Sequence, residues 1–142
     1  MPRIVVGVDG SQASLQALGW AAAEARRRGA VLDVVHAWHM PYVGPDHYLA
    51  GYASEGLFER DARAVLDRAL AETGLTGAAG VEPILVHDGA ARALLDTAKG
   101  ADLLVVGRRG GGGFAGLLLG SVSQQVSLHT PCPVAIIPGS TE

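Results

Sequence analysis

Residues 107–123 read GRRGGGGFAGLLLGSVS, where apolar sequence gives way to a glycine run and then to a helix start. Just before it, Leu103 to Val106 form a short apolar run suited to a strand buried on both faces, and Gly107 ends that run. Gly110, Gly111, Gly112 and Gly113 follow. Consecutive glycines weaken a fold entropically and add nothing to a core, so their use is a bare backbone with positive φ freely available. Successive N–H groups can then point into one concavity. Such a nest, beside a helix N-terminus, is a site for phosphate. The helix is predicted to open at Ser121, because Ser121 and Gln124 have the spacing of a capping box and Val122 and Val126 begin an apolar face.

Two common phosphate motifs do not fit. A Walker A loop needs Gly-Lys-Ser/Thr, and the only lysine is Lys99, on the wrong side of the strand. A dinucleotide fingerprint follows a first strand and leads directly into a helix, whereas this run follows a late strand and reaches its helix only after Leu117 to Leu119. What fits is Gly107, two residues, Gly110, nine residues, then Gly120-Ser121. With Gly113-Phe114, Leu118-Leu119-Gly120-Ser121-Val122-Ser123 and the later Cys132-Pro133-Val134 in order, the chain resembles the universal stress protein family in its ATP-binding branch.

Working outward, Ile4 to Val8 reads as a central parallel strand ending in Asp9-Gly10-Ser11. Ser11 caps the next helix, whose Leu15, Leu18, Ala22 and Ala25 recur at helical spacing, with Glu24 and Arg26 to Arg28 in its solvated part and Gly29 as its stop. Asp9 has two readings: a turn former bonded to local backbone, or a carboxylate that holds Mg²⁺ through water and faces a nucleotide. Val31 to Ala37 is the second strand. Trp38 to Ala53, with four aromatic residues and two prolines, shows neither period; it is a loop that folds over a purine or a mobile surface connection. Ser54 opens a long helix with Phe58, Ala62, Val65, Leu66, Ala69 and Leu70 on one face. Val81 to Val86 is the third strand, and Asp88 caps a short helix stopped by Gly100. Asp102 to Val106 is the fourth strand and Val134 to Ile137 the fifth.

Strand alternating with helix predicts an α/β fold: a doubly wound, five-stranded parallel sheet, Rossmann-like, with helices on both faces. Proline belongs at sheet edges or strand ends. Pro83 lies in the third strand and Pro131, Pro133 and Pro138 bracket the fifth, so the predicted order is 3-2-1-4-5, with 2-1-3-4-5 as the alternative. In the favoured order the winding reverses between strands one and four, and the crevice there is where ligands bind. Asp9 and Gly107 end those two strands.

With 142 residues, 49% of them hydrophobic, the chain reads as one domain, residues 1–142, with a sizeable core. A net charge of −3 argues against a nucleic-acid face. No apolar run approaches the ~20 residues of a membrane span, and a soluble cytoplasmic protein is expected. The single Cys132 excludes an intramolecular disulfide, and His36, His39 and His47 lack the further ligands of a metal centre. Val134, Ala135, Ile136 and Ile137 are apolar on both faces of an uncharged edge strand, which predicts pairing with a second copy into a homodimer; the resemblance implies the same dimer.

The resemblance also implies ATP with Mg²⁺ as ligand. It places Gly7, Val8 and Asp9 beside ribose and phosphates, with Asp9 reaching the metal through water. Ala37 offers backbone to adenine, and Gly107, Arg108, Arg109, Gly110, Gly120, Ser121, Val122 and Ser123 cradle the rest. The Ser121 hydroxyl is equally a helix cap, and Ser123 is a second candidate for the phosphate contact. A nucleotide-dependent stress-response module is the reading that results. The alternatives are a slow ATPase or phosphotransferase, for which no group to position the nucleophile is found besides Asp9, and a ligand-free interaction protein of the same fold.

Overall fold

A strand with apolar side chains on both faces needs cover on both, and that need arranges the chain. In the computed structural model, residues 1–39, 48–108 and 120–139 are described, with 48–55 described by backbone alone. The elements in order are β1 (Arg3–Gly7), α1 (Gln12–Arg28), β2 (Val31–Trp38), α2 (Tyr48–Glu72), β3 (Val81–His87), α3 (Ala90–Thr97), β4 (Leu103–Gly107), α4 (Ser121–His129) and β5 (Val134–Ile137). The sheet is parallel with order β3-β2-β1-β4-β5, as the prolines predict. Pro83 sits in β3, which among the described residues pairs with β2 alone, so its missing N–H costs no ladder bond on a second side.

Alternation along the central strands feeds two cores. Ile4, Val6, Leu32, Val34, Leu103 and Val105 pack on one face with Leu18 of α1 and Leu66 of α2. Val5, Val35, Leu104 and Val106 pack on the other with Leu94 of α3 and Val126 of α4. At the amino ends of the strands, Arg3 gathers the layers together. Its Nη1 donates to Asp33 Oδ2 at 2.9 Å and to the Thr97 carbonyl at 3.0 Å, and its Nη2 donates to the Lys99 carbonyl at 2.7 Å. Its backbone N–H donates to Asp102 Oδ2 at 2.9 Å. Asp33 is buried, and the guanidinium is what makes a carboxylate tolerable there.

Four expectations are corrected. The second helix starts at Tyr48, not Ser54, so residues 48–53 are helical rather than loop; of that loop, 40–47 lie outside the described residues. The cap of α3 is Gly89, and Asp88 Oδ1 accepts only from the neighbouring Gly89 N–H at 2.7 Å. The cap of α4 is Gly120, one residue before the expected Ser121, with no side-chain cap bond. Glu24 is not in the solvated part of α1 but buried, accepting from Arg28 Nε at 2.7 Å and from Arg27. The Arg28 and then the Arg27 hydrogen bonds hold its carboxyl below the usual range, against a partial opposition from burial. The Ser11 cap holds: Ser11 Oγ accepts from the Ser14 N–H at 3.2 Å, and Gly29 ends α1 at φ 65.

Candidate functional site

The winding reverses between β1 and β4, which are hydrogen-bonded neighbours, and in open α/β sheets the carboxyl side of such a switch point is where ligands bind. On the β1 side, Val8 is tied into the sheet: its N–H donates to the Val35 carbonyl at 2.9 Å and its carbonyl lies 2.8 Å from His36 Nδ1. Since a carbonyl only accepts, the His36 proton is on Nδ1. Val8 therefore stands at the end of β1 with both backbone groups already engaged. Asp9 follows, exposed. Its N–H donates to Ser14 Oγ at 3.2 Å and its Oδ1 accepts from the Ser11 N–H at 2.8 Å. The turn-forming reading of Asp9 is thus realised, with the residue exposed just beyond the end of β1.

β2 runs on past β1. The β1 register ends at Gly7↔Val35, whereas β3 continues to pair as far as Trp38↔His87. In a parallel strand alternate residues turn their backbone groups to the same side. Val35 bonds to β1, so Ala37 turns its N–H and carbonyl to the same side, beyond the end of the β1 ladder.

On the β4 side, Arg108 is a junction. Its N–H donates to the Ile137 carbonyl at 2.8 Å, and its carbonyl accepts from the Gly120 N–H at 2.7 Å and from Ser123 Oγ at 2.6 Å. The segment between Arg108 and Gly120 therefore begins and ends at one hydrogen bond, with the α4 N-terminus held against the end of β4. Arg109 and the whole glycine run from Gly110 to Gly113 lie outside the described residues. The first intrahelical bond of α4 is Gln124 N–H to the Gly120 carbonyl at 2.9 Å. The N–H groups of Ser121, Val122 and Ser123 precede it and have no partner within the helix. Ser121 is exposed, Val122 is half-buried and Ser123 is buried. The Ser123 hydroxyl also lies 3.2 Å from the Gly120 carbonyl, so its proton serves the fold, and only its N–H remains for a ligand. The Arg108 Nε is buried and, among the described residues, without a hydrogen-bond partner. A guanidinium N–H in that condition suits an anion.

The glycines at the strand ends have a second cause. A Cβ on Gly7 would lie 2.8 Å from Leu94 Cδ1, and one on Gly107 would lie 3.1 Å from the Ala13 backbone. A side chain at Gly7 would have to displace the end of Leu94, and one at Gly107 would press on the start of α1. Sequence reasoning missed Ser14 and His36, which shape the β1 side, and the stacking of Trp38 on His87 with ring centroids 4.1 Å apart. The signal for the last was the alignment of two ring-bearing residues at adjacent strand ends, visible only once register is known. Among the described residues no group of three metal-ligating side chains occurs, and no helix is long and apolar enough to cross a membrane.

Residues 1–138 match the family model described as the Universal stress protein family. A universal stress protein from Thermus aquaticus is 40% identical over 136 residues, covering 94% of this chain and 96% of that protein. One from Mycolicibacterium smegmatis is 36% identical over 94% of this chain, which spans only 45% of that longer protein. Among solved structures, a universal stress protein in complex with cAMP superposes with a TM-score of 0.74 at 30% identity, covering 98% of each chain. One from Archaeoglobus fulgidus in complex with dAMP gives 0.65 at 26%, covering 96% and 97%. The sheet order and these matches agree: the chain belongs to the universal stress protein family.

Proposed function

We propose that this protein binds an adenine nucleotide, ATP with Mg²⁺, at the crevice between β1 and β4, and acts in the cytoplasm as a nucleotide-dependent regulatory module of the stress response. The observation that carries the reading is the α4 N-terminus. Three N–H groups without intrahelical partners face the switch point, beside an Arg108 Nε that has no partner among the described residues. Gly120, Ser121, Val122 and Ser123 would hold phosphate oxygens through backbone, with Arg108, Arg109 and Gly110 supplying further contacts. Ala37 would offer its N–H and carbonyl to the adenine edge, and Gly7, Val8 and Asp9 would flank the ribose. Asp9 is a single carboxylate, so a metal there would be shared with the phosphates and water, as Mg²⁺ commonly is; it would neutralise phosphate charge. The nucleotides held by relatives, cAMP and dAMP, support an adenine site.

Turnover would need a group to position the attacking nucleophile. Asp9 is the only candidate at the described site, and its Oδ1 and N–H are engaged in the turn, so binding rather than efficient hydrolysis is the function proposed. The protein is proposed to work as a homodimer paired through Val134, Ala135, Ile136 and Ile137 of β5, which among the described residues is an edge strand hydrogen-bonded only to β4.

Mass spectrometry of small molecules released from purified, folded protein tests the ligand. An adenine nucleotide near stoichiometric amount is expected, from the purified protein or after loading with ATP and Mg²⁺. A protein that carries none and retains none after loading contradicts the reading. Several turnovers per minute, abolished in Asp9→Asn, would favour an ATPase instead.

A further inference from the structure

The peptide unit joining Val8 to Asp9 is held at both ends by side chains from two different elements. Its carbonyl accepts from His36 Nδ1 of β2 at 2.8 Å, and its N–H donates to Ser14 Oγ of α1 at 3.2 Å. Ser14 is buried, and its hydroxyl donates in turn to the Ser11 carbonyl at 2.9 Å. Local backbone preference does not fix this peptide. β1 ends at Gly7, and Gly10, at φ 85, is a permissive residue one step beyond Asp9. The two side-chain bonds therefore set which way the peptide points.

The His36 bond has a consequence for Ala37. In a parallel ladder, a residue that donates its N–H to one carbonyl accepts at its own carbonyl from the N–H two residues further along the same neighbour. Val8 donates to the Val35 carbonyl at 2.9 Å, so its carbonyl is in line for the Ala37 N–H. Among the described residues that bond is not made, and the register of β1 with β2 stops at Gly7↔Val35. The imidazole has taken the carbonyl instead. Ala37 stays in the sheet through its pairing with Val86 of β3, while its N–H on the β1 side is left without a ladder partner.

We propose that His36 and Ser14 are positioning residues of the nucleotide site. Together they clamp the Val8 and Asp9 peptide, and His36 holds the Ala37 N–H open for a purine ring nitrogen by withdrawing the carbonyl that would otherwise accept from it. Both act through the backbone and need not touch the ligand. The proposal rests on the nucleotide reading above and names what keeps the adenine edge of that site available.

Residue-resolved amide exchange by NMR, with ATP titrations in Mg²⁺ on the full chain, tests this. In the nucleotide-free parent the Ala37 amide should exchange on the order of tenfold or more faster than that of Val35, which lies within the β1 register, and it should slow when ATP binds. His36→Phe keeps a ring without the donor. Its ATP affinity should fall about tenfold, and its Ala37 amide should slow before any nucleotide is added, as the ladder closes by one bond. His36→Asn retains an N–H donor close to the place of Nδ1 and should restore both. Ser14→Ala should weaken binding to a similar extent, and the double variant should lose little more than either single one, because both act on one peptide. Circular dichroism checks each fold; if His36→Phe does not fold, exchange at Ala37 in the parent and the affinity of Ser14→Ala carry the test. An Ala37 amide already protected in the nucleotide-free parent overturns the clamp and leaves the nucleotide site standing. So do single variants that bind ATP as the parent does, losses that multiply in the double variant, or a His36→Phe protein whose Ala37 amide exchanges as in the parent. A parent that binds no ATP overturns the nucleotide reading and the role of the clamp with it.

Discussion

Arg108 has its backbone committed to the fold through three hydrogen bonds, while its Nε has no partner among the described residues. That division between backbone and side chain recurs around the crevice and sets what each substitution should do. Gly120 sits at φ −75 and ψ 170, extended backbone that any residue adopts. Gly120→Glu should therefore fold, but bring a carboxylate to the phosphate space. ATP affinity should fall at least a hundredfold, about 2.8 kcal/mol, with the unfolding midpoint little changed; equal affinity would place the site elsewhere. Asp9→Asn keeps an oxygen for the Ser11 N–H and removes only the charge. Binding in Mg²⁺ should weaken about tenfold, about 1.4 kcal/mol, and binding in EDTA should not, as paired titrations will show. Asp9 was legible because an Asp-Gly-Ser turn at a strand end has a recognisable chemistry. Ser123 was not: its spacing matched a phosphate contact, and only the approach of β4 to α4 shows its hydroxyl bonded to the Arg108 carbonyl.

Glu24 shows how an element sets the behaviour of a residue. The sequence put it on the wet side of α1, yet the helix turns it inward far enough to be buried, where Arg28 and Arg27 lower its pKa from 4.5. A carboxylate with a depressed folded pKa adds stability above its unfolded pKa and loses it as pH falls through the folded value. Thermal melts from pH 5 downward should therefore show a destabilisation that Glu24→Gln reduces; identical acid limbs in parent and variant would mean that the pairing has no energetic weight. Helix α1 was otherwise readable from its ends, since Ser11 and Gly29 perform the capping their types suggest. The start of α2 was not readable. Tyr48 to Ala53 is apolar or small all round, so no 3.6-residue period marks it, and the first cap-like residue, Ser54, falls inside the helix. For α4 the helix start was legible and the cap was not, because a capping-box pattern describes the side chains while the close approach of Gly120 to Arg108 fixes the cap.

For the whole molecule, proline carried the topology: Pro83 and the prolines around β5 marked the edges, and the order 3-2-1-4-5 followed. The Arg3 and Asp33 clamp was invisible, since it joins groups 30 residues apart whose meeting depends on strand register. The edge of β5, unpaired among the described residues, is expected to make the protein a dimer of twice the 14.6 kDa chain mass by light scattering. Ile136→Lys should give a folded monomer, its circular dichroism matching the parent. These elements meet at the β1 and β4 switch point, where the nucleotide is proposed to bind. The most direct measurement is isothermal titration calorimetry of ATP with Mg²⁺ into folded protein stripped of nucleotide. Saturable binding near one nucleotide per chain with micromolar affinity, about −8 kcal/mol, is the predicted result, and no heat at millimolar ATP would contradict it.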